Sequence, residues 1–228
     1  IDGHKIETDM MNGRGLFNIQ MNIFKGLKFG IIDPNERSRC TDDILKSYDV
    51  TLNLLVDLGA KLEVFTSPIA YDDMAQFNGA ITMYEGYRNH RHLYNHPSKS
   101  MDQNVKKRML VGRNITPEKH ADLLSKRKDH HLIFKNAMAD FDALITPTII
   151  DPAPKLDEID EDFTPGYFTR PFNYIDMSAL ALPIAYSSNG LPTSLQIIVP
   201  AGQEDYVIQM GTALESALAL NKQPNLTL

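Results

Sequence analysis

A strand–helix–strand pattern in the first part of the chain constrains the fold more than any other sequence feature. Residues 27–33 form a short apolar run that ends at Pro34, which is typical of a buried strand. Thr41 then precedes apolar residues at helical spacing, and Gly59 follows the last of them, as expected for a capped helix. Residues 61–66 form a second strand. We therefore predict a βαβ unit with parallel strands and a right-handed crossover.

The turn after the first strand argues against a dinucleotide cofactor. Such a site needs a glycine-rich turn that lets the backbone approach the pyrophosphate, but residues 33–39 read DPNERSR. His92 and His96 are four positions apart, a spacing that two metal ligands can share, but no third ligand of suitable spacing follows. We therefore expect neither a cofactor nor a metal ion.

Composition and charge favour a globular protein that does not bind nucleic acid. The 228 residues are 43% hydrophobic with a net charge of −6, whereas nucleic-acid-binding domains usually present a basic face. No apolar run is long enough to span a membrane, and no secretory signal is present. Because Cys40 is the only cysteine, we expect a cytoplasmic location. The chain starts at Ile1 rather than Met, which suggests a fragment or a processed product.

The rest of the chain alternates helices with short strands. Three further segments have apolar residues at helical spacing: residues 71–94, 116–140 and 204–220. Residues 141–148 form another short apolar strand, and residues 1–26 show no steady period and read as a connecting segment. The fold class that this order predicts is α/β, with a mixed, largely parallel sheet covered by helices.

A β-hairpin is predicted near the C-terminus. Its two strands are expected at residues 182–186 and 193–199. Between them, Asn189-Gly190 favours a type I′ turn, in which both central residues have positive φ. Pro183 and Pro192 lack a backbone N–H, so we expect them at strand ends or on sides that carry no ladder hydrogen bonds.

Residues 168–199, FTRPFNYIDMSALALPIAYSSNGLPTSLQIIV, resemble the C-terminal hallmark of the amidase signature family. Four more segments resemble motifs of that family in the same order: GLKFGIID (26–33), LVDLGAKLEVF (55–65), GRNITPEKHADLLSKR (112–127) and FDALITPTIIDPAP (141–154). The resemblance extends from Gly26 to Leu220. It implies that residues 27–228 are the C-terminal portion of a single amidase-signature domain, part of an α/β/α sandwich.

The catalytic chemistry that the resemblance implies belongs to the family's N-terminal half. Members hydrolyse amide C–N bonds with a serine nucleophile, a second serine in a cis peptide and a lysine, while backbone N–H groups of a glycine- and serine-rich loop stabilise the oxyanion. No GGSSGG-like stretch occurs here. Ser187-Ser188 falls in the predicted turn, and Lys46 lies on the first helix without a matching context. We therefore assign no catalytic residue to this chain.

The resemblance implies that this chain instead lines the substrate pocket. By motif position, the segment that faces the acyl part of the substrate contains Thr169, Phe172, Asn173 and Asp176. Arg170 or Asp176 is a candidate partner for a charged or polar substrate group, and Tyr84 is a weaker pocket candidate. Two alternatives stay open, namely that Asn173 caps a helix and that Phe172 fills the core. Asp176 stands where many members have a small residue, so the detailed pocket shape departs from the family pattern.

Three functions are considered for the complete protein. The first is an amidase whose N-terminal half carries the Ser-cisSer-Lys triad, so that this chain alone is inactive. Its partners are then a small-molecule amide and that N-terminal half, with a homodimer left open. The second is a subunit of a glutamine-dependent tRNA amidotransferase, which the acidic charge does not favour. The third is a non-catalytic ligand-binding or scaffold domain. We expect no membrane partner and no direct contact with nucleic acid.

Overall fold

The computed structural model describes residues 22–94, 96, 101–160 and 165–220. Its five strands are β1 (Lys28–Ile32), β2 (Lys61–Phe65), β3 (Ala143–Pro147), β4 (Met177–Tyr186) and β5 (Pro192–Pro200). Its α-helices in the described ranges are α1 (Pro34–Arg37), α2 (Asp42–Asp57), α3 (Tyr71–Tyr94), α4 (Gln103–Val111), α5 (Pro117–Ala137), α6 (Arg170–Tyr174) and α7 (Glu204–Leu218). Most of the predicted connecting segment 1–26 lies outside the described residues.

The strands form one mixed sheet in the order β2-β1-β3-β5-β4. The strands β2, β1 and β3 run parallel, with Phe29 of β1 opposite Leu62 on one side and Ala143 on the other. The strand β5 runs antiparallel to β3, with Gln196 opposite Thr146. This arrangement confirms the predicted α/β class and the parallel pairing of the βαβ unit. Two strand pairs are parallel, and the C-terminal hairpin joins the sheet antiparallel to β3, so the sheet is mixed as predicted.

The chain divides into two compact units. In the described residues, the first unit contains 22–66, 140–152 and 178–220, and the second contains 67–139 and 153–177. The first unit holds the sheet together with α2, which packs against β3 and β5, and α7, which packs against β5. The second unit is built from α3, α4, α5 and α6. None of the helices that the structure describes is long and apolar enough to cross a membrane.

A buried tyrosine links α2, the long helix of the βαβ unit, to the sheet. The Tyr48 hydroxyl on α2 donates to the carbonyl of Ile145 at 2.7 Å and accepts from the N–H of Ile32 at 3.3 Å. One side chain therefore bridges the helix to both β1 and β3. Burial raises the pKa of this hydroxyl well above its ordinary value, so it stays protonated and able to donate.

The helix α2 begins and ends close to the residues that the sequence indicates. Thr41 occupies the N-cap position, and Gly59 has a φ of 96°, a conformation that glycine adopts without strain. The Thr41 hydroxyl does not cap the helix but lies 3.4 Å from the carbonyl of Ile150, to which it donates. The acidic residues Asp42 and Asp43 lie in the first turn, where the helix dipole favours negative charge.

The hairpin turn differs from the predicted type I′ geometry. Gly190 has a φ of 79°, but Asn189 does not have a positive φ, whereas a type I′ turn needs both. The strand β4 ends at Tyr186 and β5 begins at Pro192, so the loop contains five residues rather than two. A longer loop reverses the chain with a single left-handed residue, which explains the difference.

Side chains stabilise this longer loop. The Ser187 hydroxyl accepts from the N–H of Leu191 at 3.1 Å, and Ser188 donates its hydroxyl to the Asp43 carboxylate at 2.8 Å. The N–H of Gly190 donates to the carbonyl of Ser187 at 2.9 Å. Both serines therefore have structural partners, which confirms that Ser187-Ser188 belongs to a turn.

One of the two hairpin prolines occupies a predicted position at the end of a strand. Pro192 is the first residue of β5, and Pro183 lies on β4, a strand at the end of the sheet order. Proline is tolerated in an edge strand, because one side of such a strand pairs with no other strand.

The second unit is organised around α3 and α5. The bounds of α3 coincide with the predicted segment 71–94. The helix α5 begins after Thr116, whose hydroxyl accepts from the N–H of Lys119 at 3.2 Å, with Pro117 in the first turn. It ends at Ala137, three residues before the predicted end at Asp140.

Candidate functional site

The predicted pocket segment, residues 169–176, packs against aromatic side chains of the second unit. Phe168 and Phe172 are both fully buried. The ring centroid of Phe172 lies 5.7 Å from that of Tyr71 on α3 and 6.1 Å from that of Phe134 on α5, in edge-to-face geometry. The Phe168 ring lies 5.9 Å from the same tyrosine. The apolar residues of the segment therefore anchor it to α3 and α5.

The polar candidates of this segment are more accessible than the aromatic ones. Thr169 is half-buried at the N-cap position of α6, and its hydroxyl makes no hydrogen bond to the helix. Arg170 is half-buried, and its side chain lies close against Gly166. Asn173 is exposed and lies inside α6 rather than at its cap. The helix-capping alternative for Asn173 is therefore wrong, whereas Phe172, at 1% exposure, is a core residue.

Asp176 follows α6 in an unusual backbone conformation. Its φ is 60°, a left-handed value that few residues other than glycine adopt, although aspartate tolerates it better than most. Its side chain is 76% exposed, so the carboxylate faces solvent. A left-handed residue at the end of a short helix turns the chain sharply and sets the direction of its side chain.

Two side chains of α5 hold the backbone that precedes Asp176. The guanidinium of Arg127 donates through Nε to the carbonyl of Tyr174 and through Nη2 to the carbonyl of Asn173 at 3.3 Å. Its Nη2 also lies 3.9 Å from the Asp176 carboxylate. His131 donates through Nδ1 to the carbonyl of Ile175 at 2.6 Å. Three successive carbonyls, at residues 173–175, are therefore bound by α5.

Sequence reasoning did not select Arg127 as a site residue. Its signals in the sequence were its helical spacing within the predicted helix 116–140 and its place as the last residue of the motif-like segment 112–127. Its partners are 46 and 47 residues away along the chain, so neither periodicity nor motif spacing could pair them.

A second cluster lies beside the same segment. The Tyr174 hydroxyl is 3.2 Å from Nδ1 of His130, and the ring centroid of Phe77 lies 5.9 Å from that of Tyr174. Burial raises the pKa of Tyr174 above its ordinary value, and the charge of Arg127 opposes this change. Burial, and then the positive charge of Lys126, lower the pKa of His130. A neutral imidazole is therefore favoured next to this hydroxyl.

Tyr84 lies apart from the other candidates. Its ring stacks on His120 with centroids 4.1 Å apart, and the guanidinium of Arg88 lies 5.7 Å from its ring centroid. Nε2 of His120 lies 3.0 Å from the Glu85 carboxylate. Tyr84 is 13 residues along α3 from Tyr71, which corresponds to about 20 Å of helix. The five candidates from Thr169 to Asp176 are therefore neighbours, and Tyr84 belongs to a different cluster.

The arrangement around α6 is suited to binding rather than to bond cleavage. Residues 165–177 contain a hydroxyl, a guanidinium, an amide and a carboxylate, but no serine, cysteine or lysine. A few polar groups next to buried aromatic side chains can orient a small ligand through directed hydrogen bonds. No group of three or more side chains in the described part of the chain could hold a metal ion.

Known proteins match most of this chain. A family model described as Amidase matches residues 8–208. A glutamyl-tRNA(Gln) amidotransferase subunit from Halothermothrix orenii is 31% identical over 172 residues, which cover 69% of this chain and 35% of that protein. The protein of the same name from Alkaliphilus metalliredigens is 25% identical, with 87% of this chain and 46% of that protein covered.

A solved structure gives the same result. A crystal structure of an amidase superimposes with a TM-score of 0.73 at 25% identity and covers 84% of this chain and 46% of the other. The fold is therefore that of an α/β protein of the amidase class. The chain belongs to the amidase family. It spans less than half the length of the relatives that it matches.

Proposed function

We propose that the complete protein is an amide hydrolase in which this chain supplies the scaffold and one wall of the substrate pocket. The observation that carries the proposal is the family match over residues 8–208. The serine, cis-serine and lysine that the family resemblance implies would come from a part of the protein that is not in this sequence.

The geometry of residues 169–176 supports a binding role for this chain. Phe172 anchors the segment in the core, while Asn173 and Asp176 present an amide and a carboxylate to solvent. Such groups discriminate between substrates by hydrogen bonding and charge, and they act on KM when they contact the substrate equally in the ground and transition states.

Release of ammonia or amine from small amides by the complete protein tests the proposal. Asp176→Asn removes the charge but keeps a side chain that tolerates the left-handed backbone. It should raise KM about ten-fold, or about 1.4 kcal/mol, with kcat nearly unchanged. Asp157→Asn, the same change at an exposed residue of another turn, should leave both constants unchanged.

Two results would contradict this assignment. If the complete wild-type protein releases no product from any amide, the hydrolase proposal fails, and a non-catalytic binding domain becomes the better description. If hydrolysis occurs but Asp176→Asn behaves like Asp157→Asn, the segment is not part of the pocket.

A second function is favoured by the names of the curated relatives. Two of them, from Halothermothrix orenii and Alkaliphilus metalliredigens, are named as subunits of glutamyl-tRNA(Gln) amidotransferase. The alternative proposal is that the complete protein releases ammonia from glutamine for transfer to glutamyl-tRNA. This chain has a net charge of −6, so in this alternative a partner subunit makes the contacts with the RNA.

The two functions differ in what the protein needs for turnover. A free-standing hydrolase should cleave simple amides at the same rate with or without charged tRNA and other subunits. A transamidase subunit should release ammonia from glutamine mainly when partner subunits are present, and the product should be glutaminyl-tRNA. Mass analysis of the aminoacyl group after the reaction separates the two.

A further inference from the structure

The backbone between α6 and β4 makes a turn that local interactions alone do not favour. Asp176 holds a φ of 60°, and its own N–H makes only a long hydrogen bond of 3.4 Å to the carbonyl of Asn173. Left-handed non-glycine residues persist where the surrounding structure imposes them. Contacts from α5 of the second unit hold the residues that lead into this conformation.

The guanidinium of Arg127 makes the largest set of these contacts. Its Nε and Nη2 groups donate to the carbonyls of Tyr174 and Asn173, and Nη2 also lies near the Asp176 carboxylate. One planar group therefore contacts three residues of the turn. A guanidinium has a rigid set of donors that a lysine ammonium cannot reproduce. Its exposed ion pair with Asp176 contributes little by itself, and the hydrogen bonds to the backbone are the stronger restraint.

We propose that Arg127 is a positioning residue for the substrate pocket, because it holds residues 173–176 in the conformation that presents the Asp176 carboxylate to solvent. This inference rests on the proposed role of residues 169–176 as a pocket wall. Arg127 does not contact the substrate in this account. It acts through the backbone of the turn, with His131 holding the adjacent carbonyl of Ile175.

The experiment compares Arg127→Gln with Lys128→Gln in the complete protein. Both changes remove one positive charge from α5, at adjacent positions, but Lys128 is exposed. Hydrogen exchange is measured at the amides of Ile175 and Asp176, which donate to the carbonyls of Pro171 and Asn173. Arg127→Gln should speed their exchange about ten-fold, whereas Lys128→Gln should leave it unchanged.

Kinetics provide a readout that a purely structural role would not change. With p-nitroacetanilide and glutamine as probe amides, Arg127→Gln should raise KM about ten-fold with kcat within about two-fold of wild type. Arg127→Lys keeps the positive charge but loses the planar set of donors, so its KM should lie between that of the wild type and that of Arg127→Gln. Unchanged KM for Arg127→Gln in an active enzyme would overturn the proposal.

A second substitution tests the left-handed backbone directly. Glycine adopts positive φ without strain, so Asp176→Gly added to Arg127→Gln should restore slow exchange at residue 175, while Asp176→Ala should not. If Arg127→Gln leaves exchange at both amides unchanged, Arg127 does not hold the turn. If the wild type hydrolyses neither these probes nor any other amide, the proposed function fails, and the exchange data alone decide whether Arg127 holds the turn.

Discussion

Phe172 and Asn173 are adjacent in the sequence but have opposite environments. The Phe172 ring is buried between Tyr71 and Phe134, whereas the Asn173 side chain is exposed. A five-residue helix presents successive residues about 100° apart, so one faces the core and the next faces solvent. The anchoring and the proposed binding functions of the segment are therefore carried by different residues.

Replacement of the anchor should cost far more stability than replacement of its neighbour. Phe172→Ala removes a fully buried ring and should lower the free energy of unfolding by about 3–5 kcal/mol. Asn173→Ala should change it by about 0.5 kcal/mol or less. Urea unfolding of the two variants under one set of conditions provides the comparison. Similar losses for both would mean that Phe172 does not pack in a tight core.

His130 should make part of the stability depend on pH. Its pKa is lowered in the folded state, through burial and the charge of Lys126, with Asp129 and Asp73 opposing. The unfolded chain then binds more protons than the folded chain just below the ordinary histidine pKa of about 6.5, so stability falls as the pH falls through this range. His130→Gln should make the pH dependence less steep.

The titration of His130 can be followed directly by NMR. The imidazole of His130 should titrate with a midpoint below about 6.5. A midpoint at or above that value would show that burial and Lys126 do not dominate its environment.

At the scale of elements, the hairpin shows that one dipeptide does not determine a turn. Asn189-Gly190 favours a two-residue loop, but the loop has five residues and only Gly190 is left-handed. The serine hydrogen bonds to Leu191 and to Asp43 stabilise the longer form. Contacts with α2, which is distant in sequence, therefore contribute to the choice of turn.

Alanine substitution distinguishes the two turn geometries. Gly190→Ala should destabilise the protein by about 1 kcal/mol or more, because alanine is strained at positive φ. Asn189→Ala should have an effect of only about 0.5 kcal/mol or less. In a type I′ turn both residues have positive φ, so comparable losses in thermal unfolding for the two variants would contradict the geometry described above.

At the scale of the whole molecule, the chain contains the scaffold and a candidate binding surface but no catalytic residue that we can assign. It covers between 35% and 46% of two relatives with the same name. Both ends of the sheet order are edge strands, and β2 presents the charged residues Lys61 and Glu63 to solvent. Glu63 pairs with Lys28 at 2.8 Å. Charges on an edge strand disfavour unspecific pairing with other strands.

Local pattern was sufficient to predict most elements and the family. The bounds of α3 and the start of α5 follow from helical periodicity and from capping residues such as Thr116, which act within one or two turns. The parallel pairing of β1 with β2 follows from the short βαβ connection. Residues 168–176, which mix polar and aromatic side chains, were likewise identified through their resemblance to a family motif.

The sequence by itself therefore determined the four longest helices, the strands and the segment that lies at the candidate site. Only the tertiary structure decided that Tyr48 links β1 and β3, that Arg127 binds the carbonyls of residues 173 and 174, and that Asp176 is left-handed while Asn189 is not. These features depend on groups that are 16 to 97 residues apart, or on backbone angles that such contacts impose. Periodicity and capping report interactions over a few residues, so they carry no information about partners that meet only after the chain has folded.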